Sequence, residues 1–317
     1  MILTRTPLRL SLGGGPTDLP SYADTHGGFC VTAAITRYVY VAALPSFDGD
    51  VFCRYRETER VRHPQELQHP FLRAALSEAD VGPLEIVSLA DVPAGTGLGS
   101  SGAFAVGLLH LLAAQQGKRT TPTMLAEDAA RLEIEACGRA VGRQDHYACA
   151  FGGLQTLTFP VDDRVQVAPL RVSPATLEHL ERNLHLFFLS AGRDAERALA
   201  AERHTDRVNL DAVKALGIAS AAALEAGDVA GFADLLAEHW TLKCHRSPVP
   251  DRIAYLVSEG RRAGARAGKL VGAGGGGCLL FYAEDAATLT DRMQAEGLRH
   301  IPFRFEMGGS RVLVTDG

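Results

Sequence analysis

Three acidic residues of this chain stand where a carboxylate could do chemistry. Asp18 follows a run of glycines in GGGPTDLP, Glu133 lies in a predicted helix among apolar neighbours, and Asp145 lies in a predicted loop, in GRQDHY. Carboxylates can hold Mg²⁺, and they can accept a proton from a hydroxyl group or orient it, as phosphoryl transfer requires. Each also has a plainer interpretation, with Asp18 as a turn residue and Glu133 as a charge on a solvated helix face. On the residues alone, both interpretations of Asp18 stand.

Two basic residues could complement these carboxylates. Arg9 takes a polar position in an alternating first strand, and Lys269 precedes the segment GAGGGG. Either could be a surface charge. Alternatively, Arg9 could stabilise a phosphoryl group, or lower the pKa of Asp145 if the fold brings the two together. His146 is next to Asp145, but neighbouring side chains need not face the same way, so a structural or rim position is favoured for it.

Three glycine-rich segments are the elements that would position these groups. The central one, residues 93–104 (PAGTGLGSSGAF), leads from a short apolar run into a long one. Ser100 and Ser101 stand where the N-cap of a helix belongs, and the free N–H groups at a helix start form an anion site. A tight turn capping a buried helix would use the same residues, and the segment has neither Walker-loop nor GxGxxG spacing. Further glycine runs at 13–15 and 272–277 nevertheless favour three walls of a single polyanion site.

The composition restricts the class of protein. The 317 residues are 46% hydrophobic and 22% charged, as in a soluble globular protein of one large or two moderate domains. A formal net charge of −5 at pH 7 gives no general basic surface for nucleic acid. The six cysteines form no CxxC or zinc-finger spacing, so they are expected to be reduced and mostly packed, as in a cytosolic protein. The N-terminus does not resemble a signal peptide, and no apolar run is long enough to span a membrane.

Hydrophobic patterning predicts an α+β fold in which strands and helices do not alternate regularly. Strands are expected at residues 2–12, 29–35, 38–44, 51–56, 154–159, 164–168, 300–306 and 311–315, in HLFFLSAG, and on both sides of GAGGGG. Helices are expected at 70–79, 100–116, 123–138, 251–263 and 285–296, from Ser173-Pro174 onward, and over most of 194–247. Residues 138–153 are expected to form a loop, and Pro7 to mark a strand edge or break.

Three motifs, in order, resemble those of the GHMP kinases (galactokinase, homoserine kinase, mevalonate kinase and phosphomevalonate kinase). PLRLSLGGGPTDLP looks like their first motif, PAGTGLGSSGAF is similar to their PxxxGLGSSAA phosphate loop, and KLVGAGGGGCLLFY looks like their third. Within the superfamily, GGGPTDLPSY, GRQDHYACAFGGL and GKLVGAGGGGCLLFY most resemble the D-glycero-D-manno-heptose 7-phosphate kinases. The sequence departs from the pattern at Pro16, where those kinases tend to have glycine, at Gly102, where alanine is usual, and at Cys278, where phenylalanine is common.

The resemblance implies a ribosomal-S5-like N-terminal domain (1–165), a ferredoxin-like C-terminal domain (166–317) and a site between them. It implies ATP in the central loop, Mg²⁺ held by Ser101 (or Ser100) and Glu133, Asp145 as catalytic base or orienting carboxylate, and Arg9 near the transferred phosphate. The residues expected to bind ATP are Pro93, Gly95, Gly97, Leu98, Gly99, Ser100, Ser101 and Gly102. Those expected to bind substrate are Asp18, Gly14, Gly15, Thr17, Gly274 and Gly275, with Arg193 expected to grip the substrate's own phosphate.

The function implied is transfer of the ATP γ-phosphate to the anomeric hydroxyl of a heptose 7-phosphate in a bacterial cytosol, for nucleotide-heptose and surface polysaccharide synthesis. Two alternatives stay open: a GHMP kinase for a galactose-, fucose- or mannose-like sugar, and a non-catalytic sensor of sugar and ATP. The joint presence of Asp145, Glu133, Ser101 and Arg9 argues against the sensor. The expected partner is a small sugar phosphate, with no nucleic acid and no membrane, and a homodimer is left open.

Overall fold

The chain folds into two sheets with helices packed on them. A computed structural model describes residues 1–161, 164–190, 207–246, 249–272 and 277–315. Its strands are β1 (Ile2–Gly13), β2 (Gly28–Pro45), β3 (Val51–Arg54), β4 (Thr58–Val61), β5 (Leu84–Ala90), β6 (Leu154–Phe159), β7 (Gln166–Pro169), β8 (Leu184–Ser190), β9 (Ala267–Leu270), β10 (Gly277–Tyr282), β11 (Arg299–Ile301) and β12 (Arg311–Thr315). Its α-helices are α1 (Pro20–His26), α2 (Pro70–Glu78), α3 (Ser100–Gln115), α4 (Pro122–Arg131), α5 (Gln144–Phe151), α6 (Pro174–Asn183), α7 (Arg207–Glu225), α8 (Val229–Arg246), α9 (Asp251–Arg262) and α10 (Ala286–Ala295). The expected α+β class is confirmed.

The larger sheet is built around β1 and β2. Its order is β12-β1-β2-β5-β3-β4, and β6 and β7 extend it from β2. The apolar side of β1 is fully buried, with Leu8, Leu10 and Leu12 at 0% exposure. Alternation of apolar and polar residues therefore identified the face of β1 that enters the core.

A bulge separates the two halves of β2. Along the β1–β2 pairing, Pro7 lies opposite Tyr38 while Leu8 lies opposite Ile35, so residues 36–37 of β2 are extra. The two strands expected at 29–35 and 38–44 are thus one bulged strand, and separate strands were the wrong prediction. The strand edge expected at Pro7 is confirmed, because the pairing of β1 with β12 has already ended at Arg5. The alternative of a strand break is wrong, since β1 runs through Pro7.

The smaller sheet has the order β11-β8-β10-β9 and its own core. Every residue of β10 is buried, since the strand runs between β8 and β9. Phe187 and Phe281 of this sheet pack with Leu256 of α9 and Met293 of α10. Helices α9 and α10 therefore close the hydrophobic side of the smaller sheet.

The two sheets do not divide the chain at a single point. β7 and β12 both follow residue 165, yet β7 pairs with β6 and β12 pairs with β1. The last strand therefore returns to the sheet in which the chain begins. The division into 1–165 and 166–317 stays a prediction.

The central apolar helix α3 begins differently from expectation. Gly99 is its N-cap, in the left-handed conformation with φ 73°, and no side chain caps the helix. The prediction of a serine N-cap is wrong, because Ser100 and Ser101 are already the first two helical residues. The hydroxyl groups of these serines therefore do not cap the N-terminus of α3.

The segment after α4 contains two features that the pattern did not predict. The helix expected at 123–138 ends as α4 at Arg131 and continues as a π turn, Leu132–Ala136, which carries Glu133. Residues 138–153, expected to be a loop, contain α5. A π turn is rare and frequently marks a functional site.

Three smaller expectations have clear outcomes. Ser173 is the N-cap of α6, where its side chain accepts from the Thr176 N–H, as predicted from Ser173-Pro174. All six cysteines are free, and Cys30, Cys53, Cys149 and Cys278 are buried, so mostly packed cysteines are confirmed. None of the helices described is long and apolar enough to cross a membrane.

Candidate active site

The three glycine-rich segments meet at one cavity of about 150 Å³. Gly15 and Asp18 line it from the first segment, Ser101 from the central one and Gly272 from the third. The predicted convergence of the three segments is confirmed for the parts described, since residues 273–276 lie outside them.

Hydrogen bonds fix the central loop against the strands next to the other two segments. The Arg9 N–H donates to the Leu98 carbonyl at 2.9 Å, and the Cys278 N–H donates to the Thr96 carbonyl at 3.1 Å. The Arg9 side chain adds a bond from Nη1 to the Gly97 carbonyl, at 2.5 Å. The loop is therefore held by β1 on one side and β10 on the other.

Arg9 and Asp145 form an ion pair at the cavity wall. Nε and Nη2 of Arg9 both donate to Oδ1 of Asp145, at 2.7 and 2.6 Å. The Arg9 side chain is only 6% exposed, while that of Asp145 is 23% exposed. Burial opposes the charge of Arg9, but the Asp145 carboxylate outweighs it and raises the pKa of the guanidinium. The site thus holds a fixed cation directly behind an accessible carboxylate.

Two glycines let α3 approach this pair closely. A Cβ at Gly99 would lie 2.9 Å from Cγ of Arg9, and one at Gly102 would lie 2.9 Å from Cβ of Asp145. Real Cβ atoms essentially never come so close. The glycine at 102, where the resembled family usually has alanine, therefore matches an unusually close contact between α3 and α5.

Asp18 positions the start of α5. Its Oδ2 accepts from the backbone N–H of Gln144 at 3.0 Å and its Oδ1 from Nε2 of Gln144 at 2.8 Å. The residue is only 1% exposed, and burial raises the pKa of its carboxyl group against the effect of these bonds. Asp18 also lines the cavity. The structure therefore gives Asp18 a positioning role, because it holds Gln144, the residue that precedes Asp145. Its predicted contact with substrate stays a prediction.

Glu133 is a buried carboxylate held by several donors. Its Oε2 lies 2.8 Å from Nε2 of His146, and its Oε1 lies 3.2 Å from Nη1 of Arg139. Burial works to raise its pKa, but the hydrogen bond and charge of His146, together with Arg139 and a bond from Ser101, lower it overall. Glu133 is thus kept as an anion at the cavity, and His146 is a buried structural partner, as favoured from the sequence.

Ser101 and Glu133 are the residues that could hold a metal ion. Both line the cavity, and their side chains are hydrogen-bonded to each other. Mg²⁺ prefers oxygen ligands and is typically bound by one or two protein groups together with waters and substrate phosphates. Among the described residues no three His, Cys, Asp or Glu side chains are arranged as a metal site. A hydroxyl and a carboxylate beside an anion site therefore fit Mg²⁺ that arrives with a nucleotide.

Four nitrogen-bearing side chains also line the cavity, and we call them the cationic wall. Three come from α8, namely His239, Lys243 and Arg246, and Lys269 comes from β9. Burial, with Lys243 and Arg9, lowers the pKa of Lys269 to about 7. Lys243 donates to the carbonyl of Gly272, which ties the wall to the third glycine segment.

The remaining predicted residues differ in their relation to the cavity. The Thr17 hydroxyl is bonded to the backbone of Phe29, at 3.0 Å to its carbonyl and 3.0 Å from its N–H. Thr17 and Gly14 therefore support the loop and do not line the cavity, in contrast to Gly15. Of the predicted ATP-binding set, Ser101 lines the cavity, while Pro93, Gly95, Gly97, Leu98, Gly99, Ser100 and Gly102 form the adjoining loop and helix start. Arg193, Gly274 and Gly275 lie outside the described residues.

Sequence reasoning missed Gln144 and the α8 part of the cationic wall. Residues 239, 243 and 246 follow the i, i+4, i+7 spacing of one helix face, which was visible in the sequence. Basic residues near the end of a helix are common, because they complement its dipole, so the spacing alone did not indicate a site. Gln144 gave no signal of its own beyond its place before Asp145.

Comparison with known proteins agrees with this geometry. Residues 68–153 match the family described as GHMP kinases N terminal domain, and residues 220–298 match GHMP kinases C terminal. Together these two matches cover just over half of the chain. They include α3, α5 and the α8 part of the cationic wall.

Individual relatives extend over nearly the whole chain. It is 29% identical to a D-glycero-alpha-D-manno-heptose 7-phosphate kinase of Campylobacter jejuni, over 89% of each chain. It is 27% identical to a galactokinase of Roseiflexus sp., over 94% of this chain and 86% of the relative. The crystal structure of a D-glycero-D-manno-heptose 1-phosphate kinase from Bacteroides thetaiotaomicron has a TM-score of 0.81 at 25% identity, with all of both chains covered. The chain belongs to the GHMP kinase family and has its two-part fold.

Proposed function

We propose that this GHMP kinase is an ATP-dependent sugar kinase that phosphorylates the anomeric hydroxyl of D-glycero-D-manno-heptose 7-phosphate. The product would be the 1,7-bisphosphate, a precursor for nucleotide-heptose and surface polysaccharide in a bacterial cytoplasm. The observation that carries the proposal is the Arg9–Asp145 pair beside the start of α3, because it joins a carboxylate to an anion site in one cavity. Two of the relatives are named for a heptose phosphate, and their names differ in the position of the phosphate.

Asp145 is the group we assign to the acceptor hydroxyl. Both bonds from Arg9 end on Oδ1, and the carboxylate lines the cavity. Arg9 fixes the orientation of this carboxylate, so Asp145 can align the hydroxyl and take its proton as the new O–P bond forms and the bond from the γ-phosphorus to the leaving ADP breaks. Positioning and charge stabilisation are the main contributions to such a transfer.

The start of α3 is the group we assign to the nucleotide phosphates. Its N–H groups and the dipole of a long helix favour an anion there, and Ser101 and Glu133 stand beside it. Mg²⁺ bound there would neutralise charge on the phosphates, and Ser101 and Glu133 are the side chains that would hold it. Gln144 offers its Oε1, which has no hydrogen-bond partner among the described residues, to a sugar hydroxyl.

A coupled assay of ADP release tests the proposed function. The wild-type protein with Mg·ATP is given D-glycero-D-manno-heptose 7-phosphate, the corresponding 1-phosphate, the unphosphorylated heptose, mannose, galactose and fucose. We expect turnover that favours the 7-phosphate by at least an order of magnitude in kcat/KM. Comparable turnover on an unphosphorylated hexose would show a different sugar kinase. ATP binding without turnover on any of these sugars would refute the proposal and leave an untested substrate or the sensor.

A further inference from the structure

The cationic wall indicates which chemical group the acceptor carries besides its reacting hydroxyl. Within α8, the side chains of His239, Lys243 and Arg246 all line the cavity, and Lys269 lines it from β9. The carboxylates of the cavity bond to other groups: Asp18 to Gln144, Asp145 to Arg9 and Glu133 to His146. The wall therefore brings three basic side chains and a buried histidine to the cavity that also holds the three carboxylates.

His239 shows that this region is shaped for a ligand. It is only 7% exposed, and its Nε2 has no hydrogen-bond partner among the described residues. Its other ring nitrogen bonds to the Leu216 backbone, while burial, Lys269 and Arg246 lower its pKa to about 3. Nε2 of a neutral imidazole held in this way accepts a hydrogen bond. A buried acceptor among cations fits a ligand that carries both a hydroxyl group and an anionic group.

The position of the wall favours the acceptor over the nucleotide. Helix α7 packs directly on the first glycine segment, since a Cβ at Gly217 would lie 2.8 Å from Cα of Gly14. Helix α8 packs on α7 and ends at the cavity, beside the segment that carries Gly15 and Asp18. The proposed function assigns the nucleotide phosphates to the start of α3, with Ser101 and Glu133.

We propose that the cationic wall binds a phosphate group that the acceptor itself carries, with Lys243, Arg246 and Lys269 as donors and His239 accepting from a neighbouring hydroxyl. This inference rests on the proposed function and adds the residues that select a phosphorylated sugar over a plain one. Charge-assisted hydrogen bonds of this kind are stronger than neutral ones, and Arg can bind a phosphate through two of them.

A cycle of protein and ligand changes tests the assignment. Wild type, Lys243→Met and Arg246→Met are each titrated with the heptose 7-phosphate and with the unphosphorylated heptose, by calorimetry in the absence of ATP. Both side chains are partly exposed, so their replacement leaves the core intact. We expect each variant to weaken binding of the phosphate by at least tenfold and binding of the plain heptose by less than twofold, because only one ligand loses a partner. Arg261→Met is the matched control, since it removes an exposed cation at the end of α9 that does not line the cavity.

Steady-state kinetics separate the two sources of phosphate. If the wall binds the acceptor, both variants raise KM for the heptose phosphate and change KM for ATP by less than twofold. A raised KM for ATP, with unchanged binding of the heptose phosphate, would assign the wall to the nucleotide and overturn the inference. Equal losses for both heptose ligands would also overturn it.

Failure of the inference is distinct from failure of the proposed function. If the wild type turns over the heptose phosphate and the variants bind it as tightly as the wild type does, only the assignment of the wall to the acceptor's phosphate is refuted. A wild type that neither binds nor phosphorylates any heptose phosphate refutes both.

Discussion

Oε2 of Glu133 and Nε2 of His146 lie 2.8 Å apart, and the two side chains are 1% and 0% exposed. Neither group can turn to solvent without unpacking the π turn or α5, so His146 fixes the orientation of the carboxylate. Glu133 is the residue we assign to Mg²⁺, and partners of metal-binding side chains strongly affect affinity for the metal. His146 is therefore a positioning residue and not a catalytic one.

Replacing His146 with alanine should weaken the use of Mg²⁺. We expect the Mg²⁺ concentration for half-maximal activity to rise about tenfold, as for other partners of metal ligands. We also expect the free energy of unfolding to fall by about 3 kcal/mol, because Glu133 keeps a buried charge and loses a partner. Mg²⁺ titrations of activity and of nucleotide binding, together with denaturant unfolding, measure these effects.

His146→Gln is the matched control for this change. An amide can still donate to Oε2 of Glu133, so this variant should recover a large part of both the Mg²⁺ response and the stability. An alanine variant with an unchanged Mg²⁺ requirement and a raised KM for the sugar would refute the positioning role.

Asp145→Asn should remove most turnover while it preserves the fold. The amide has the size of the carboxylate and its oxygen can still accept from Arg9, but it does not take a proton. We expect kcat to fall about 1,000-fold, within the range typical of a lost general acid–base group, while the Kd for ATP changes less than twofold. Single-turnover kinetics and equilibrium binding of ATP measure the two effects, and an unchanged kcat would refute the role of Asp145.

The site residues that could be predicted from the sequence were those whose neighbours in the chain set them apart. Asp18, Glu133 and Asp145 stood out because they are acidic residues near glycines or in an apolar setting, and the structure brings all three to one cavity. Glycine-rich segments likewise indicate a turn, or a close approach of the backbone to another group, without any knowledge of the fold. The convergence of three such segments was therefore predictable from their number and order.

The features that were missed depend on contacts between distant parts of the chain. The first N–H of helix α5 donates to Asp18, which lies 126 residues earlier in the chain. No local cap therefore marks the start of this helix in the sequence. The cationic wall combines α8 with Lys269 of β9, and the packing of α8 against α7 and β9 brings it to the cavity. A sequence pattern shows which face of a helix is basic, but it does not show what that face meets.

Gly102→Ala should disturb the reaction through Asp145. The new Cβ would lie 2.9 Å from Cβ of Asp145 and 3.2 Å from the His146 backbone nitrogen, so α3 and α5 must separate. Overpacking of this kind costs about 1–3 kcal/mol of stability. We expect kcat to fall at least tenfold, with a smaller change in KM for ATP, because the carboxylate moves relative to the start of α3.

Gly82→Ala is the control for Gly102→Ala. No atom lies within 4 Å of a Cβ placed at Gly82, so this variant should match wild type in kcat and in unfolding. A Gly102→Ala protein with wild-type kcat would show that the close approach of α3 to Asp145 is not needed for the reaction.

Lys269 should make binding of a phosphorylated acceptor depend on pH. It is 9% exposed, and burial, Lys243 and Arg9 lower its pKa to about 7, from an ordinary value of 10.5. The ammonium group is therefore present below pH 7 and is lost as the pH rises through that value. We expect KM for the heptose phosphate to rise between pH 7 and pH 9, and Lys269→Met to show a high KM that changes little over this range.

The same shift determines how Lys269 affects stability. Between about pH 7 and pH 10.5 the unfolded chain binds a proton at Lys269 that the folded chain does not, so this residue makes the free energy of unfolding increase with pH. Lys269→Met removes a buried cation that lies near Lys243 and Arg9, and it should raise Tm at pH 7 while it weakens binding of the phosphate. Thermal unfolding of both proteins at pH 7 and pH 9 measures the effect, and the difference in Tm should shrink at the higher pH. A methionine variant that is less stable than wild type at pH 7 would show that Lys269 is compensated in the folded chain, and that its charge costs nothing before a ligand binds.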